Sequence, residues 1–291
     1  MEHNDSSAVR SVLKKVEAFA HKSHLPKLML EFYAQTLFLQ YERPSELLEQ
    51  EDREETDEIE PVDPADLPLC SVSELHLDAE QCRSALSLLL HLSAGITPLL
   101  TAQSKKISLL MEGNRIPLEF FRHAGSASIR EIEQFAEKED LDAGVLFFLL
   151  RSAVRIFLKP KIDLAARGKN LSAWHGGYCP ACGSLPHFSY LSQNYGKRIL
   201  SCSFCSRRWS VDRIWCPFCG NLDRESLRIV TFEQEPGIRV DICEKCRRYQ
   251  KVMDLREMES SGFSWLDDLG TLHLDLRMQE EGFVRPVPVP A

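Results

Sequence analysis

The chain has 291 residues, 44% of them hydrophobic, enough apolar material for one large or two ordinary soluble domains. Its formal charge of −8 argues against nucleic-acid binding driven by net charge. The most apolar run, Ala143 to Leu150, meets Arg151 and Arg155 after eight residues, whereas a membrane-spanning helix needs about 20, so no transmembrane segment is expected. The opening residues Met1-Glu2-His3-Asn4-Asp5-Ser6 lack the basic and apolar regions of a secretory signal, so the expected location is cytoplasmic, where thiols stay reduced.

Val9, Val12, Leu13, Val16 and Phe19 recur at helical spacing and predict an amphipathic helix over 8–20. Pro26 opens a second, whose broad apolar face ends near Pro44. Between Glu49 and Glu60 eight acidic residues stand against one Arg, and Pro61, Pro64 and Pro68 follow, so 49–68 is expected to be an acidic, Pro-rich linker or loop. Asp78 and Gln81 form a capping-box pattern before a helix that carries Cys82 as a small buried hydrophobe and stops at Gly95. Thr97-Pro98 starts the next helix, which Gly113-Asn114 ends. Ser128 and Glu131 suggest another capping box, and after Asp142 an apolar helix from about Val145 to Leu158 is expected to stop at Pro160. Residues 1–165 thus read as a helical domain of about six helices. It has no phosphate-binding glycine loop, no nucleophile elbow and no zinc-protease histidine pair, and nothing in it proposes catalysis.

Residues 179–246 hold eight of the ten cysteines as four Cys-x-x-Cys pairs: Cys179/Cys182, Cys202/Cys205, Cys216/Cys219 and Cys243/Cys246. The two-residue spacing lets a tight knuckle turn both sulfurs toward one ion, and two knuckles complete a tetrahedron. Cys179-Pro-Ala-Cys182-Gly183 is echoed by Cys216-Pro-Phe-Cys219-Gly220, and each is followed by a hairpin pattern and a second pair. A hairpin returns the chain to where it began. The first and second pairs should therefore hold one ion, and the third and fourth another, rather than cross-bracing. Gly183 and Gly220 suit a left-handed turn just after the knuckle. His175 lies four residues before Cys179 but is read as a loop residue, because each site already has four sulfurs. Such sites are closed, which disfavours hydrolytic zinc, and hairpin context disfavours thioredoxin-like redox pairs. Spacing leaves the ion open between zinc and a rubredoxin-like iron. From Trp174 to Arg256 the side chains sum to +5, which eight thiolates and two divalent ions would reduce to about +1.

The expected fold is α+β. A helical domain (1–165) precedes two tandem ribbons of rubredoxin or zinc-ribbon type (166–210 and 211–256), followed by a C-terminal helix and Pro-rich tail (257–291). The paired-cysteine run, together with Trp209, Tyr249, Asp267-Asp-Leu-Gly-Thr-Leu-His-Leu-Asp275 and Glu281-Gly-Phe-Val-Arg285, resembles the FdhE family, accessory proteins of formate dehydrogenase maturation. The resemblance implies a cytoplasmic assembly factor, not itself an enzyme, that binds the immature formate dehydrogenase catalytic subunit. It also implies rubredoxin-type iron at the eight paired cysteines, ahead of zinc. Cys70 and Cys82 match no motif of the family. Two other readings stay open: a zinc-ribbon nucleic-acid module in a transcription or RNA factor, which the acidic balance disfavours, and a redox protein using a ferric thiolate site.

Overall fold

A computed structural model describes residues 27–42, 60–72, 74–126, 128–193, 195–258 and 264–287. The helix expected over 8–20 and most of the acidic run lie outside these residues. Two compact units emerge: one holds 27–42 and 70–165, the other 60–69 and 166–287. No helix among the described residues is long and apolar enough to cross a membrane.

The first unit is built from α1 (Lys27–Glu42), α2 (Ala79–Leu92), α3 (Pro98–Glu112), α4 (Leu118–Gly125), α5 (Arg130–Lys138) and α6 (Ala143–Ala165). Caps written in the sequence form as read. The Asp78 carboxylate accepts from the Gln81 N–H at 2.8 Å, and the Thr97 hydroxyl from the Leu100 N–H at 3.1 Å. Ser128 departs from expectation: its hydroxyl donates to the Glu131 carboxylate, and Ile129, without a capping side chain, occupies the N-cap of α5. Helix α6 also departs, running through Pro160 to Ala165. Proline inside a helix costs about 3 kcal/mol through a lost hydrogen bond and a steric clash. Here Leu158 and Ile162, both fully buried, keep the last turns on the core and offset that cost. Helix α4, which sequence patterning passed over, buries Phe120, Phe121 and Ala124, and buried Arg151 of α6 donates to its last carbonyls, Ala124 at 2.6 Å and Gly125 at 3.0 Å. Cys82 is buried, and burial together with the Asp78 charge pushes its thiol up to about 11, in keeping with a packing role.

In the second unit, β1 (Glu60–Pro61) pairs in parallel with β2 (Lys169–Asn170). The end of the expected acidic, Pro-rich loop is therefore structured, with the Tyr178 hydroxyl donating to Leu67 O and the Leu69 N–H to Pro180 O. The remaining strands are β3 (Pro186–Leu191), β4 (Arg198–Cys202), β5 (Arg208–Val211), β6 (Leu227–Thr231), β7 (Ile238–Cys243) and β8 (Arg248–Asp254). Each ribbon is a three-stranded antiparallel meander, and a parallel β3–β8 pairing from Phe188↔Lys251 to Leu191↔Asp254 fuses the two into one six-stranded sheet, β5-β4-β3-β8-β7-β6. One core, including Phe188, Tyr190, Val240, Ile242, Tyr249 and Met253, serves both ribbons.

Helices α7 (Ser264–Leu269) and α8 (Leu272–Glu280) close that core with Leu274 and Met278. They are held by a buried charge network centred on Lys251, whose ammonium donates to the Asp268 backbone carbonyl at 2.8 Å and pairs with the Asp268 and Asp275 carboxylates at 2.8 and 2.5 Å. Arg285 pairs with the same two carboxylates. The Tyr249 and Tyr190 hydroxyls donate to Asp275 at 2.6 Å and Asp267 at 2.7 Å. The acidic residues of the C-terminal motif thus serve as docking groups. Burial opposes ionisation of Asp268, but Arg285 and Lys251 overcome it and hold the carboxyl well below its ordinary value of 3.8. A depressed acid contributes stability above its unfolded pKa and loses that contribution as pH falls through the native one. The second unit should therefore lose stability on acidification from about pH 4 downward, and Asp268→Asn should flatten the fall, as read by tryptophan fluorescence in denaturant at stepped pH.

Candidate metal centres

Both tetrads assemble by the same local rule. In the first knuckle of each ribbon the N–H of the residue after the second cysteine donates to the first cysteine's carbonyl: Gly183 to Cys179 and Gly220 to Cys216, both at 2.9 Å. The cysteine N–H in turn donates to Ser184 O and Asn221 O, again at 2.9 Å. The turn places Gly183 at φ 74° and Gly220 at φ 72°, where a side chain is disfavoured. The second knuckles use the same left-handed position without glycine, Ser206 at φ 63° and Arg247 at φ 57°. Arg247 is stabilised by its neighbours: its guanidinium lies 3.9 Å from the Phe283 ring centroid and pairs with Glu244 at 2.6 Å.

The structure groups Cys179, Cys182, Cys202 and Cys205 in one cluster and Cys216, Cys219, Cys243 and Cys246 in another, with the sulfurs of each within 4.8 Å of one another. The pairing is sequential, because each hairpin brings its second knuckle back beside its first. In the first tetrad Cys179–Cys205, Cys182–Cys202 and Cys182–Cys205 are separated by 3.6, 3.4 and 3.6 Å. In the second, Cys216–Cys246 and Cys219–Cys243 are each separated by 3.7 Å. These spacings are too long for disulfides, and a tetrahedron with metal–sulfur bonds of about 2.3 Å has edges of about 3.8 Å. The donor set therefore fits a tetrathiolate ion, with no ligand position left open.

The two sites differ in exposure. All four sulfur-bearing residues of the first are buried, whereas Cys219 is exposed and Cys246 half-buried in the second. Donors to sulfur accompany both: the Phe204 N–H lies 3.3 Å from Cys202 Sγ, and the buried Asn221 amide 3.6 Å from Cys243 Sγ. Burial pushes the Cys179 and Cys216 thiols up. Cys243 sits at about 7, because the Cys246 N–H, the Cys219 thiol and the Asn221 amide outweigh its burial. Uptake of an ion must then release protons.

His175 contacts Ser210 O at 3.1 Å and belongs to neither tetrad, nor do Cys70 and Cys82. Asn221 escaped the sequence reading. The signal available was its place after Cys219-Gly220, matching Ser184 in the first ribbon.

The family models "FdhE, central domain" and "FdhE, C-terminal domain" match residues 178–213 and 214–290. An FdhE homolog of Aquifex aeolicus is 36% identical over 159 residues, covering 53% of this chain and 54% of that protein. One from Haemophilus influenzae is 29% identical over 176 residues, covering 58% and 57%. Protein FdhE of Escherichia coli O157:H7 is 35% identical over 113 residues, covering 37% and 35%. The chain thus spans about half the length of the first two relatives. The crystal structure of the FdhE protein from Pseudomonas aeruginosa shares the fold, with a TM-score of 0.62 at 22% identity over 97% of this chain and 95% of that one. Residues 178–290, which carry both cysteine tetrads and the helices docked beside them, are thus similar to the central and C-terminal domains of FdhE proteins.

Proposed function

We propose that this protein is a cytoplasmic, non-catalytic accessory factor that binds the immature catalytic subunit of formate dehydrogenase during its assembly. In this reading its eight paired cysteines hold two mononuclear irons. The observation that carries it is the pair of complete four-sulfur tetrads within the FdhE domains. A site whose four positions are filled by sulfur offers a substrate no place to coordinate, which suits a scaffold. Iron fits the all-sulfur tetrahedron and, when bound, adds a one-electron couple and a visible thiolate charge-transfer band. The protein residues build the knuckles, donate N–H groups to sulfur and exclude water from the first site. The test is anaerobic co-expression with a tagged catalytic subunit, followed by metal analysis and an optical spectrum. The subunit should co-purify with the wild-type chain and not with a chain lacking both tetrads, and the purified factor should not oxidise formate. Equal capture by the tetrad-less chain would overturn the role, and a colourless zinc protein would overturn the iron assignment.

The unequal exposure of the tetrads makes a separate prediction. A chelator should empty the second site first, so timed alkylation and mass spectrometry should label Cys219 and Cys246 before Cys179 and Cys205. Cys82, with its thiol pushed up to about 11, should stay unlabelled at about pH 8 while its unit is folded. Simultaneous labelling of all eight ligand positions would show that the sites open together.

A further inference from the structure

Beside the second tetrad the sheet carries a cavity of about 430 Å³, with Cys216 and Cys243 in its wall. Arg239 and Asp241 line it and alternate along β7 with Ile238 and Val240 of the core, so the cavity lies on the other face of the sheet. Its volume falls within the range of small-molecule sites, about 300–1,000 Å³.

Three features define what it would hold. The first is charge: six arginines line the cavity against one carboxylate, Asp241. That carboxylate is already shared, with Arg239 at 2.9 Å and Arg198 at 3.5 Å. Buried Arg198 also donates to Trp215 O at 2.8 Å, yet its Nε has no hydrogen-bond partner among the described residues. Guanidinium groups present paired donors that match phosphate geometry. The second is Gln250, which is 2% exposed and lines the cavity with neither Oε1 nor Nε2 hydrogen-bonded among the described residues. A buried amide without partners is unfavourable, and a ligand must offer both a donor and an acceptor to satisfy it. The third is a half-buried aromatic pair, Trp215 and Phe218, suited to a flat ring.

We propose that this cavity binds a small phosphorylated heterocycle of nucleotide size. The arginines hold its phosphates, the aromatic side chains flank its ring, and the Gln250 amide reads the ring's polar edge. The site is independent of the assembly role, since it rests on the cavity alone.

The test is calorimetric titration of the full chain, as purified with its metal, using ADP, GDP, CDP, UDP and inorganic pyrophosphate. At least one nucleoside diphosphate should bind about tenfold tighter than pyrophosphate. Joint reversal of the exposed pair Arg213→Glu and Arg224→Glu should weaken both kinds of probe by about tenfold or more without unfolding the protein. Gln250→Leu should abolish the preference for the nucleotide while keeping pyrophosphate binding. If that buried variant misfolds, the charge reversal alone decides. Absence of binding at millimolar probe, pyrophosphate binding as tight as every nucleotide, or affinities unmoved by the charge reversal would each overturn the proposal.

Discussion

Replacing Cys182 by serine is expected to cost the chain one of its two bound ions and to abolish cooperative melting of the cysteine-rich unit. A structural tetrathiolate ion supplies about 10–16 kcal/mol at neutral pH, comparable to the whole stability of an ordinary domain, about 5–15 kcal/mol. Cys182 is buried, with Cys202 and Cys205 3.4 and 3.6 Å away, so a hydroxyl there leaves buried thiols without the ion that orders them. Because β3 pairs with β8, the loss should reach the second ribbon. Cys219→Ser, at the exposed corner of the second tetrad, should also remove an ion but loosen mainly β6 and β7. Metal analysis and amide hydrogen exchange read both. The helical unit has its own core and should keep its protection; if it melts together with the sheet, the two units are one cooperative structure.

The second large effect is expected at Lys251. Lys251→Met leaves the buried carboxylates of Asp268 and Asp275 to share Arg285 without the ammonium, and breaking a buried pair on one side costs about 3–5 kcal/mol. For a unit of this size the melting temperature should fall by about 10 °C or more. Adding Asp275→Asn removes the surplus charge and still accepts from the Tyr249 hydroxyl, so the double variant should recover part of the loss. A double variant less stable than Lys251→Met would show that packing around α8, and not charge balance, sets the cost. Lys251 attracted no notice in the sequence, because a lysine in a strand ordinarily reads as a solvent-facing residue.

Asp78, Thr97 and the four Cys-x-x-Cys pairs act through partners two to four positions away, and such local chemistry is visible in a string of letters. Pro160 shows where local rules fail: its helix continues because buried Leu158 and Ile162 reward continuation, and their burial depends on distant residues. The strands β5 and β8 were missed for a related reason. Each follows a knuckle directly, and its pairing is set by a neighbour strand rather than by its own pattern.

The sequence alone determined the α+β class, the two sets of four sulfurs and their sequential grouping, because two-residue knuckles and hairpins are short-range geometry. Only the tertiary structure decided that both ribbons share one sheet through β3 and β8, that Asp268 and Asp275 meet Lys251, and that Gln250 is buried beside arginines from four stretches of chain. Those contacts join residues far apart in sequence. Their energy comes from burial and charge compensation, which exist only once the chain has closed on itself.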